Sequence, residues 1–141
     1  MSEEYVEFED YTFGKFEDLR KKLINKRVVK WEKYKLTLDD GTELWVGSVH
    51  DDYTTTSGGE FYNVKLDALI TDVSYPELLG TDINIWGDTE SRARVTLFHN
   101  RNPIAISNFE AERNPWYYSI ACLEISGISY KVLDWEGLKY E

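Results

Sequence analysis

From Lys33 to Val49 the chain carries a strong β-hairpin signal. Tyr34, Leu36 and Leu38 interleave with Lys33, Lys35 and Thr37, a period of two that puts apolar groups on one face of a strand. Asp40-Gly41 follows at once, and glycine supplies the positive φ that a tight reversal needs. Thr42 to Val49 then returns as the second strand. A hairpin with one apolar face has to bury that face, so at least one further layer is required.

The rest of the chain extends this pattern. The spacing predicts one helix over Phe13–Asn25, where Phe16, Leu19, Leu23 and Ile24 form an apolar stripe, Glu17 and Asp18 sit in the first turn, and Asn25 is a plausible stop. Strands are expected over Val28–Leu38, Phe61–Leu69, Asp82–Trp86, Arg92–Phe98, Ile104–Phe109, Trp116–Ile125 and Ser129–Trp135, and a polar loop or hairpin tip over residues 51–60. Tyr75-Pro-Glu-Leu-Leu-Gly80 reads as a short helical turn ended by glycine. The expected fold class is α+β, mainly antiparallel β: one N-terminal helix on a curved sheet or partly open barrel of about seven or eight strands. Residues 1–12 are expected to form an acidic arm with aromatics at Tyr5, Phe8 and Tyr11, and residues 13–141 a single β-rich domain.

Composition excludes several classes. With 141 residues, 5 Trp, 10 Tyr and 6 Phe, the chain can build a core and is not a disordered segment. One cysteine, Cys122, rules out an internal disulfide framework and a cysteine-rich zinc site. The acidic start without an apolar run, and the lack of any apolar stretch near 20 residues, give the expectation of a cytoplasmic protein with no membrane span.

Charge is the strongest functional handle. The net charge is −10, but residues 19–35 carry +7 and residues 36–90 carry −11, with Lys65 the lone base in that tract. This balance argues against direct binding to nucleic acid, whose phosphates attract basic proteins. It favours a basic partner. The candidate partner-binding residues are Asp39, Asp40, Glu43, Asp51, Asp52, Asp67, Asp72, Asp82 and Asp88, with Trp116 and Tyr117 as aromatic anchors. Carboxylates carried at intervals of several ångströms on a stiff sheet would occupy a phosphate-binding groove. Plain solubility charge is the alternative reading of the same tract, and the basic stretch is expected either to be solvated or to neutralise the acidic arm.

Other chemistry finds little support in the sequence. No glycine-rich phosphate loop and no Gly-x-Ser-x-Gly elbow is present. His50-Asp51-Asp52 places an imidazole beside two carboxylates, the pattern of a small metal-assisted hydrolase. Adjacent strand residues point to opposite faces, however, so a solvated strand end fits it better. Cys122, in an apolar strand, reads as a small buried hydrophobe. No metal and no cofactor is expected.

Four segments in order, Leu36-Thr-Leu-Asp-Asp-Gly-Thr-Glu-Leu44, His50-Asp51-Asp52, Glu77-Leu-Leu-Gly-Thr-Asp-Ile83 and Asn114-Pro-Trp-Tyr-Tyr-Ser119, resemble a family of small domains encoded by phages and Gram-positive bacteria. The resemblance spans roughly residues 23–125. Pro115-Trp116 replaces the family's glycine, and no cysteines follow Asp51-Asp52. The resemblance implies a β-rich fold and a mobile-element origin, and carries no catalytic residue over. The function expected from it and from the charge together is a small acidic interaction protein that binds and inhibits a basic host nucleic-acid-processing or defence protein, as a DNA mimic or an anti-CRISPR-like inhibitor. A structural protein joined by sheet edges into homo-oligomers is the alternative from a different class, and the hydrolase is the third.

Overall fold

The computed structural model describes residues 12–50, 57–83, 85, 87–113, 119–134 and 137–138. Among them the elements run β1 (Thr12–Gly14), α1 (Phe16–Leu23), β2 (Val28–Glu32), β3 (Lys35–Leu38), β4 (Glu43–His50), β5 (Ser57–Tyr62), β6 (Asp72–Val73), β7 (Glu77–Ile83), β8 (Thr89–His99), β9 (Asn102–Arg113), β10 (Ser119–Ile125), β11 (Ile128–Asp134) and β12 (Gly137–Leu138). They form two sheets. The first has the order β1-β11-β10-β4-β3-β2, with β12 also on β11; the second has the order β5-β9-β8-β6, with β7 also on β8. Among the described residues only β1 on β11 is parallel.

The fold is therefore mainly antiparallel β with a single helix, as the periodicities require. It is not a barrel. The strands divide into two packed sheets, and among the described residues there are more of them than the seven or eight expected, with β8 and β9 longer than Arg92–Phe98 and Ile104–Phe109. Between the sheets one core gathers Leu36, Leu44, Val46 and Leu123 from the first with Phe61, Ala93, Val95 and Phe109 from the second. The helix closes one end. Its stripe of Phe16, Leu19 and Leu23 is buried, while Ile24 serves as the C-cap. Asn25 takes a left-handed φ of 72°, and its N–H donates to the Ile70 carbonyl at 2.8 Å.

Arg20 ties the helix to the second sheet. Its Nε donates to the Val73 carbonyl at 2.8 Å, Nη2 to Asp72 at 2.8 Å and Nη1 to Glu17 at 2.8 Å, and its guanidinium lies 4.6 Å from the Tyr75 ring centroid. The Tyr75 hydroxyl donates to the same Glu17 carboxylate.

Several boundaries differ from expectation, each for a physical reason. The helix is shorter than Phe13–Asn25 because Thr12–Gly14 pairs with β11 instead. Residues 57–60, expected in a loop, start β5, which ends at Tyr62 rather than Leu69. Beyond it, Asn63 and Asp67 both adopt positive φ, which no strand tolerates. The largest correction is at Tyr75–Gly80. This segment is not a helical turn: β7 begins at Glu77, pairs antiparallel with β8 and ends at Ile83, short of the Trp86 expected. Gly80 does not end a helix there. It stands opposite Arg92, where a Cβ would come within 2.8 Å of the guanidinium Nη2. No helix among the described residues is long and apolar enough to cross a membrane.

Candidate functional site

The face of the second sheet turned away from the core is built by period-two alternation. On β8, Ser91, Ala93, Val95 and Leu97 are buried, which sends Glu90, Arg92 and Arg94 outward. On β9, Ser107, Phe109 and Ala111 are buried, which sends Asn108, Glu110 and Glu112 outward. Cross-strand register then aligns these side chains in rows. Asp82 of β7 stands opposite Glu90, and Glu90 opposite Glu112. One step along, Gly80, Arg92, Glu110 and Gly58 line up, and one step further Glu77, Arg94, Asn108 and Glu60.

The first row is three acids side by side on adjacent strands, about 4.8 Å apart in the pairing direction. Like charges directly opposite one another destabilise a sheet. The neighbouring rows supply cations. Arg92 Nη1 donates diagonally to Asp82 at 2.7 Å, and Arg94 Nη2 donates to Glu77 at 2.9 Å. Glu77 in turn raises the Arg94 pKa above its ordinary value. Lys33 lies 3.9 Å from Glu60 in an exposed ion pair. Lys33, Glu60, Leu79, Arg92, Asn108 and Glu110 border a cavity of about 350 Å³ on this face.

The acids expected to act together are divided between separate places. Asp39 and Asp40 form the β3–β4 turn, where Asp40 accepts the Thr42 N–H at 2.9 Å and pairs with Lys26 at 3.0 Å. The hydrogen bonds from Thr42, aided by Lys26, lower the Asp40 carboxyl to about 2. Glu43 pairs with Lys35 at 3.1 Å on the first sheet. Asp67 holds a left-handed φ of 66° and offers its carbonyl to Arg27 at 2.9 Å. Asp72 belongs to the Arg20 cluster. Asp82 lies on the outer face of the second sheet, and Asp88 lies in the connection from β7 to β8. Asp51, Asp52, Trp116 and Tyr117 fall outside the described residues, as does the arm before Thr12.

Sequence reasoning confined the acidic tract to residues 36–90 and so missed Glu110 and Glu112. The signal was present in Asn108-x-Glu110-x-Glu112, the same period of two seen in Glu90-x-Arg92-x-Arg94. Within the basic stretch, Arg20, Lys26, Lys33 and Lys35 pair with acids of the tract, while the arm it was expected to neutralise lies outside the described residues.

The His50-Asp51-Asp52 grouping falls on side chains outside the described ones. Among the described residues no group of three or more His, Cys, Asp or Glu side chains is placed to hold a metal ion. His99 Nδ1 lies 3.0 Å from the Leu69 carbonyl. Cys122 is buried, and burial pushes its thiol pKa far above the ordinary range.

No curated protein and no solved structure matches the chain. A family model does match, over residues 21–123, the stretch from α1 into β10 that includes every outward residue of the rows above. With that match covering well over half of its length, the chain belongs to the family described as domain of unknown function DUF7448.

Proposed function

We propose that this domain is a non-catalytic interaction protein that binds a basic partner on the outer face of its second sheet. The row of Asp82, Glu90 and Glu112 carries the proposal. The register aligns three carboxylates on adjacent strands, and a basic partner's lysines or arginines can meet them in the same spacing. The strand spacing sets the carboxylates in a rigid line, the arrangement that suits a groove evolved for phosphates. In its sharpest form the partner is a host nucleic-acid-processing or defence protein, the source a phage or mobile element, and the outcome inhibition by occupation of that groove. The net charge of −10 supports a protein partner over direct contact with nucleic acid.

The test is competition with duplex DNA for a linker histone as basic probe, at rising salt. The unchanged domain displaces the DNA at low salt and loses this ability as salt rises. Asp82→Asn with Glu90→Gln and Glu112→Gln weakens displacement. Asp39→Asn with Asp40→Asn leaves displacement unchanged. Equal displacement by the triple variant and the unchanged domain overturns the proposal.

A further inference from the structure

Strand β7 is paired on one side only: among the described residues it hydrogen-bonds with β8 and with no other strand. Open edges recruit further strands unless they are blunted. This edge is blunted at one end by a bulge between Leu78 and Gly80, but Gly80 to Ile83 is regular and apolar groups crowd it. Leu78 and Leu79 are each 45% exposed, Ile83 is 75% exposed and Ile85 is 88% exposed.

The charge at this edge selects an occupant. Arg92 stands opposite Gly80, and its Nη2 lies 2.8 Å from where a Cβ at Gly80 would be. The guanidinium therefore lies over the backbone of β7, and its Nη1 holds Asp82 two residues along on the same face. A strand added at this edge meets a cation above Gly80 and an anion at Asp82.

We infer that β7 pairs antiparallel with β7 of a second copy about a two-fold axis at Thr81. In that register Thr81 faces Thr81, and Asp82 of each copy faces Gly80 of the other. Each Asp82 then reaches the Arg92 that crosses the other copy's Gly80, so that every guanidinium bridges two carboxylates. Ile83 comes opposite Leu79. A two-fold axis at Asp82 would instead oppose two aspartates, and one at Gly80 would set Asp82 opposite Leu78 and away from the other copy's Gly80. Self-complementarity of one patch is what a two-fold interface demands.

Sedimentation equilibrium on the full chain, with no partner present, tests this. The expected result is a species of twice the 16.5 kDa chain mass that dissociates on dilution. Ile83→Lys and Asp82→Arg each raise the dissociation constant at least about tenfold. Asp82→Arg combined with Arg92→Asp restores the dimer, because both pairs reform with their signs exchanged. Where circular dichroism shows that a charged variant has lost its fold, Thr81→Cys decides: it cross-links two chains under oxidation, the native Cys122 being buried. A monomer at every concentration, a dimer indifferent to both charged variants, or a folded Thr81→Cys protein that does not cross-link overturns the inference. Since no basic partner enters the experiment, its failure leaves the acidic row to be judged by the competition assay.

Discussion

Gly59→Ala is the substitution whose cost follows most directly from the geometry. Gly59 of β5 stands opposite Phe109 of β9, and a Cβ built on it would lie 1.7 Å from the Asn108 carbonyl oxygen. Carbon and oxygen rest no closer than about 3.3 Å even in a weak C–H···O contact. The strands must therefore part by about 1.5 Å at this point, because the obstacle is backbone and cannot swing aside. Losing about two ladder hydrogen bonds at roughly 1 kcal/mol each, with some strain in the neighbouring pairs, gives about 3 kcal/mol. Alanine stiffens the unfolded chain and returns about 0.5 kcal/mol, leaving a net loss of about 2.5 kcal/mol.

Urea unfolding followed by tryptophan fluorescence measures this loss. For a domain of this size it corresponds to a fall in Tm of about 8 °C. Gly41→Ala is the comparison. Gly41 has a φ of +89° and nothing within 4 Å of its would-be Cβ, so it bears only the left-handed backbone cost of about 1 kcal/mol. If Gly59→Ala destabilises no more than Gly41→Ala, the close approach of β5 and β9 is wrong.

Three further outcomes follow from the same structure. Arg20→Lys loses about 1–2 kcal/mol in urea, since one ammonium cannot serve Val73, Asp72, Glu17 and the Tyr75 ring together; unchanged stability would show that the cluster does not hold the helix to the sheet. The Asp40 carboxyl, drawn from an ordinary 3.8 to about 2, contributes stability that is full above about pH 4 and fades as pH falls toward 2; an NMR titration midpoint near 3.8 would contradict the turn geometry, and Asp40→Asn flattens the stability profile in that window. Cys122 stays inert to a thiol-specific disulfide reagent in the folded protein and reacts on unfolding; rapid reaction in native buffer would refute its burial.

What the sequence reveals here is local, and what it conceals is cross-strand. The β3–β4 hairpin reads directly from Leu36, Leu38 and Asp40-Gly41 because pattern and turn lie within a few residues of each other. The β8–β9 pair reads equally well across Asn100, whose left-handed φ of 55° makes the reversal. The helix stripe survives at Phe16, Leu19 and Leu23. Strand β7 does not read, because Leu-Leu-Gly is common at helix ends and the reason for Gly80 sits on another strand, in the Arg92 side chain. The candidate site suffers most from this. Neighbours in the acidic tract fold onto different sheets, so Asp40 and Asp82 never share a row, while Asp82 and Glu112 share one across thirty residues of sequence.

The same topology decides where the negative charge goes. The basic stretch precedes the acidic tract, and folding lays α1, β2 and β3 against it: Lys26 reaches Asp40, Lys35 reaches Glu43 and Arg20 reaches Asp72. Each of these pairs is close, so at the hairpin and along the helix the charges largely cancel within the molecule and give a partner little to recognise. On the outer face of the second sheet the balance differs. There Arg92 and Arg94 share rows with Glu77, Asp82, Glu90, Glu110 and Glu112, so acids outnumber the cations that the strands themselves provide. Among the described residues this row of aligned carboxylates lies on the second sheet, whose strand β7 hydrogen-bonds only to β8. Self-pairing at that edge would set Arg92 of one copy against Asp82 of the other and leave Glu90 and Glu112 in line beyond it. On the two proposals Asp82 is the shared carboxylate: a dimer would engage it with the second copy's Arg92, and a basic partner would then meet Glu90 and Glu112.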